Sequence, residues 1–162
     1  MADSAMDTYL NDHLAGAMFG SELAEHLQAR TEGTSLGELM KPLASEIEED
    51  RQTLIDLMGR MGTTRNPIKQ ATTWLAEQAS RAKFGGLTAS ETGLGTFLAL
   101  EALSLGVEGK TSLWTALKEV ADRYPALSSM NLDELRERAQ AQRDMLERER
   151  VAAGRAALQG EA

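Results

Sequence analysis

The sequence predicts an all-α fold built on four long helices, and three observations predict it. Apolar residues recur at three- and four-residue spacing almost throughout, and no stretch alternates as a half-buried strand would. Glycine, proline and capping residues punctuate that pattern at intervals typical of helix ends. Only 4% of the residues are aromatic against 42% hydrophobic, so the core must be aliphatic and methionine-filled, as in helical bundles.

The first helix is expected over 4–28, with Met6, Leu10, Ala17, Ala24 and Leu27 on one face. A short link, Thr31-Glu32-Gly33-Thr34, leads to a second helix over 35–61, striped by Leu39, Leu43, Ile47, Leu54, Leu57, Met58 and Met61. Gly62 stops it, and Pro67 suits the first turn of a shorter amphipathic helix over 67–83. Phe84-Gly85-Gly86 breaks that segment. A further helix over 88–123 opens on a capping box of Thr88 and Glu91, passes Gly106 and Gly109, and ends before Pro125. Asn131 then caps the last helix, within 131–158, rich in Arg and Glu at i,i+4 spacing.

Short first and last links make two antiparallel pairs, and the long middle connection with its own helix is what a one-crossover, ferritin-like bundle requires. The 162 residues suit a single helical-bundle domain over 1–162.

Composition excludes several chemistries. The chain has no cysteine, so disulfides, iron–sulfur clusters, thiolate zinc sites and cysteine nucleophiles are ruled out. The longest apolar stretch, 97–107, is interrupted by Glu101 and falls short of the roughly 20 residues that span a bilayer. The first residues lack a basic start and an apolar run, which makes a cytoplasmic location the expectation. The net charge of −8 is concentrated in residues 1–62, with 12 acids and 4 bases, so general nucleic-acid binding is disfavoured. The four bases Arg65, Lys69, Arg81 and Lys83 make the short helix locally basic, and packing on the acidic first two helices is the expected use of that charge.

Two stretches are distinctive: residues 46–51 (Glu46-Ile47-Glu48-Glu49-Asp50-Arg51) and residues 98–110 from Leu98 to Lys110, with Leu113-Trp114 just after. On these the chain resembles an uncharacterised bacterial family of ferritin-like helical-bundle proteins. The resemblance implies the fold and carries no assigned activity.

A ferritin-like fold raises a di-iron or di-manganese carboxylate site, which needs a Glu from each of two helices and a Glu-x-x-His pair from each of the other two. Both histidines, His13 and His26, fall in the first helix. Glu46-x-x-Glu49, Glu134-x-x-Glu137 and Asp144-x-x-Glu147 keep the spacing but offer no imidazole, so the ligand set is incomplete. An all-carboxylate site remains the alternative, since oxygen donors suit Mn, Mg or Ca.

The most informative residues are polar side chains on apolar stripes. His13 lies between Leu10 and Ala17, Arg51 between Ile47 and Leu54, Glu101 between Leu98 and Leu105, and Gln142 between Ala139 and Leu146. These four are expected to form a core polar cluster with Arg51 and Glu101 as an ion pair, because an unpaired buried charge costs several kcal/mol. The cluster reads either as a buried network or as the wall of a small-molecule pocket. The resulting expectation is a non-enzymatic bundle with a structural or interaction role and no catalytic residue, metal or cofactor. The alternatives are a metal-binding or oxidative-stress protein with a degenerate carboxylate site, and a small-molecule carrier. The partner is unspecified, and a homodimer through an outer helix face is left open.

Overall fold

A computed structural model describes residues 4–66 and 93–159. The expected helix over 67–83, the capping box of Thr88 and Glu91, and the basic side chains Lys69, Arg81 and Lys83 lie outside the described residues.

Four long helices dominate: α1 (Ser4–Arg30), α2 (Ser35–Met61), α3 (Leu94–Lys118) and α5 (Leu132–Leu158). A 3-10 turn (Ala121–Arg123) and the single-turn helix α4 (Pro125–Ser128) join α3 to α5. Among the described residues there is no strand, and no helix is long and apolar enough to cross a membrane.

The helix ends follow local chemistry. The Thr31 hydroxyl donates to the Leu27 carbonyl at 2.7 Å and closes α1. Thr34 caps α2 by accepting from the Gly37 amide at 3.2 Å, and Gly62 ends it in the left-handed conformation at φ 71°. Asn131 caps α5 by accepting from the Glu134 amide at 3.2 Å. Helix α3 continues through Gly106 and Gly109, as the sequence suggested, but stops at Lys118 rather than reaching 123. The chain there tightens into the 3-10 turn and swings round to place Pro125 at the start of α4.

Two apolar clusters fill the interior. One joins Leu23, Ala24 and Leu27 of α1 to Met40, Leu43, Ala44 and Ile47 of α2, Ala99, Leu100, Leu103 and Val107 of α3, and Ala139 and Leu146 of α5. The other joins Leu10 and Leu14 to Leu54, Leu57 and Met58, then Leu113, Trp114 and Leu117, and finally Leu127 and Leu132. Leu39 is an exception to the expected stripe. It is 38% exposed, and Met40 and Ala44 take the inner face instead, a shift of one residue.

The clusters also fix direction. The late part of α1 meets the early part of α2 and of α3, so α1 runs antiparallel to both. Contacts from Glu101–Arg150 through Lys110–Gln142 to Lys118–Asp133 make α3 and α5 antiparallel. Helices α2 and α3 therefore run in the same direction. Asn11, 8% exposed, ties the start of the α2–α3 connection to α1. Its Nδ2 donates to the Thr64 carbonyl at 3.0 Å, and its Oδ1 accepts from the Asn66 amide at 2.6 Å.

Candidate functional site

Asp50 sits on the inner face of α2, three residues after Ile47 and four before Leu54, and is only 3% exposed. A buried carboxylate needs counter-charge and hydrogen bonds. The Lys110 ammonium of α3 donates to Asp50 Oδ2 at 2.5 Å, and the Arg138 guanidinium of α5 pairs with Oδ1. Gln142, one turn further along α5 and 1% exposed, completes the network. Its Nε2 donates to Asp50 Oδ2 at 3.2 Å and to Glu46 Oε2 at 2.9 Å, while its Oε1 accepts from Lys110 at 2.5 Å. Burial pushes the Lys110 ammonium below its ordinary pKa, and the Asp50 carboxylate opposes that shift.

The network forms one wall of a cavity of about 310 Å³ between α1, α2 and α3. Its apolar lining includes Ile47, Leu54, Leu103, Leu113 and Trp114, and its polar lining is Asp12, His13, Asp50, Arg51 and Lys110. The space exists because small residues face it: Gly16, Ala17 and Gly20 on α1, and Ala102, Gly106 and Gly109 on α3. A Cβ at Gly20, Gly106 or Gly109 would meet no described atom within 4 Å, so packing among the described residues does not require glycine at any of them. The Trp114 indole Nε1 and Asp12 Oδ1 are buried and have no hydrogen-bond partner among the described residues.

Of the four residues singled out from the sequence, the structure places only Gln142 in a buried polar network. The expected Arg51–Glu101 ion pair is not formed. Arg51 grips Glu48 on its own helix, with Nε donating to Oε2 at 2.7 Å and Nη2 to Oε1. Ser21 of α1 donates to the same carboxylate at 2.5 Å, and together these bonds hold the Glu48 carboxyl down to about 2. Glu101 lies at the α3–α5 surface and accepts from Arg150 Nη1 at 3.1 Å. His13 stands edge-on to Tyr9, with ring centroids 4.6 Å apart, on the cavity wall. Burial pushes its imidazole below the ordinary value, partly offset by the Asp12 carboxylate.

The reason for the difference is helical phase. Positions 50 and 51 are three and four residues after Ile47, and both straddle the stripe. The helix turns Asp50 inward and leaves Arg51 at the cavity rim. Lys110 carries the same signature, three residues after Val107 and four before Trp114 in the least charged of the long helices.

These residues do not fit a metal pair. The ammonium of Lys110 already occupies the position between Asp50 and Gln142, and Arg138 adds a second positive charge on Asp50. Among the described residues, no group of three or more His, Asp or Glu side chains is placed to hold a metal ion.

Comparison of the chain with family models, curated proteins and solved structures finds no match to any of them.

Proposed function

We propose that this protein is a non-catalytic, ferritin-like helical bundle that binds a small, largely apolar molecule in the cavity between α1, α2 and α3. The directions of the helices support the architecture. Antiparallel α1–α2 and α3–α5 pairs, with α2 and α3 parallel, need one long crossover, which residues 63–93 are long enough to supply. In such a bundle the lysine–aspartate pair at mid-height would take the place of a bound cation.

One observation carries the binding reading. Gly20, Gly106 and Gly109 lie inside helices, where each glycine costs roughly 0.5–1 kcal/mol relative to alanine. No close approach by a described residue explains them, and all three line the same cavity, Gly106 from an exposed position. The volume falls at the lower end of small-molecule sites, which are mostly apolar with a few convergent polar groups.

Titration calorimetry with benzene and 1-octanol tests the reading. Saturable one-site binding is expected for the natural sequence, with loss of binding in Gly106→Leu, which fills the cavity. Absence of saturable binding by either probe would overturn it. So would elemental analysis finding close to one transition metal per chain that disappears in Glu46→Ala.

A further inference from the structure

The charged groups around the cavity are not equally occupied. An ammonium has three N–H donors. Lys110 spends one on Asp50 and one on Gln142, which leaves a third with no partner among the described residues. Arg51 directs Nε and Nη2 at Glu48, and its Nη1 has no partner among the described residues. Asp50, by contrast, accepts from Lys110, Arg138 and Gln142 and is nearly saturated. The cavity lining therefore holds donors with capacity left, at Lys110 and at the unpartnered Trp114 Nε1, together with one acceptor, Asp12 Oδ1, that no described residue satisfies. The remaining lining is apolar, from Leu54 and Leu103 to Leu113 and Trp114.

Resting on the small-molecule reading above, we propose that the ligand is a small amphipathic monocarboxylate. Its hydrocarbon packs against Leu54, Leu113 and Trp114, and its carboxylate accepts the unspent N–H of Lys110. A charge-assisted bond to an ammonium is about twice as strong as a neutral one. The head group therefore sets the selectivity, and the glycine-walled space sets the size.

A neutral acceptor such as an alcohol would use the same donor but leave the positive charge uncompensated by the ligand. A cationic head would face Lys110 and Arg51 and would have to turn to Asp12, which also lines the cavity.

The test is calorimetric titration of the full chain with octanoate, 1-octanol and octylamine, three probes of matched length that differ only at the head. Octanoate is expected to bind at least about tenfold tighter than octanol, a difference of roughly 1.4 kcal/mol, with octylamine weakest. In Lys110→Met the octanoate preference should fall to within about threefold, with folding checked by circular dichroism. In Gly106→Leu, which keeps Lys110, all binding should weaken together.

Equal binding of octanoate and octanol would overturn the carboxylate assignment and leave the cavity reading standing. Tighter binding of octylamine would overturn it too, and would name Asp12 as the anchor. If none of the three binds, the cavity reading itself falls. The comparison on the natural sequence decides the matter even if Lys110→Met fails to fold.

Discussion

Asp50 and Lys110 meet across α2 and α3 with side chains 2% and 15% exposed, so each has given up most of its hydration for the other. Removing one partner of such a pair leaves an uncompensated buried charge. Asp50→Ala is therefore expected to lose about 3–5 kcal/mol in urea unfolding, and adding Lys110→Met to Asp50→Leu should recover only part of that loss, because Arg138 and Gln142 still lack their Asp50 acceptor. The Arg51–Glu48 and Glu101–Arg150 pairs are different. Their carboxylates are about 39% and 43% exposed, and breaking either should change stability by about 0–1 kcal/mol. A loss of several kcal/mol in Glu101→Leu would show that the two types of pair have been confused. His13 adds a pH dependence. Because burial lowers its folded-state pKa, the unfolded chain takes up the proton first as pH falls, so stability declines from about pH 6.5 downward through that lower value. His13→Gln should flatten this slope in thermal unfolding between pH 7 and pH 5, and an unchanged slope would assign it to other groups. The site was legible only in part at this scale. The need for a buried polar network across the long helices could be read from the apolar stripes, and so could Gln142. Which of two adjacent charged residues turns inward could not, because a helix of 3.6 residues per turn makes i+3 and i+4 nearly equivalent.

Glycines separate into opposite classes once they are placed on their helices. At Gly37 an added Cβ would lie 2.2 Å from the Thr31 carbonyl oxygen, so the turn between α1 and α2 requires glycine there. At Gly154 of α5 it would come within 2.8 Å of the Phe97 ring of α3. Gly106 and Gly109 of α3 have open space among the described residues instead. Gly106→Ala and Gly109→Ala should each stabilise the protein by about 0.5–1 kcal/mol, and Gly37→Ala should destabilise it by more than that, measured as shifts in urea midpoint at constant m-value. Destabilisation by all three would mean that the α3 glycines serve packing and not space. The elements themselves were largely readable from sequence. The second helix was placed at its observed bounds, because Thr34 and Gly62 mark both ends chemically. Helix α2 also runs through Pro42, whose exposed position lets the helix tolerate the missing amide donor. The end of α3 departs from the expected 123 because nothing between Lys118 and Pro125 breaks a helix by itself. The 3-10 turn that forms there is set by where α4 and α5 must pack.

Helix order alone does not fix the molecule, since four helices joined by short links would alternate in direction. Here α2 and α3 run the same way, and this topology brings Asp50 and Lys110 together. In a parallel pair, residues at matching heights stay level: Met40 with Leu100, Asp50 with Lys110, and Leu57 with Leu117 share a cluster or a bond. The long link between the two helices is the feature of the sequence from which this could be inferred, because a return along 27 residues of helix covers roughly 40 Å. The chain has no cysteine, so pairs of labels can be introduced without background. Gly59, Glu38 and Glu119 are exposed, the first two near opposite ends of α2 and the third just after α3. Spin labels at Gly59→Cys and Glu119→Cys should be close. Labels at Glu38→Cys and Glu119→Cys should be farther apart by something approaching the roughly 32 Å between positions 38 and 59 along the helix. The reverse order of distances would mean that α2 and α3 are antiparallel. In that case Asp50 and Lys110 could not meet, and the cavity they wall would not exist.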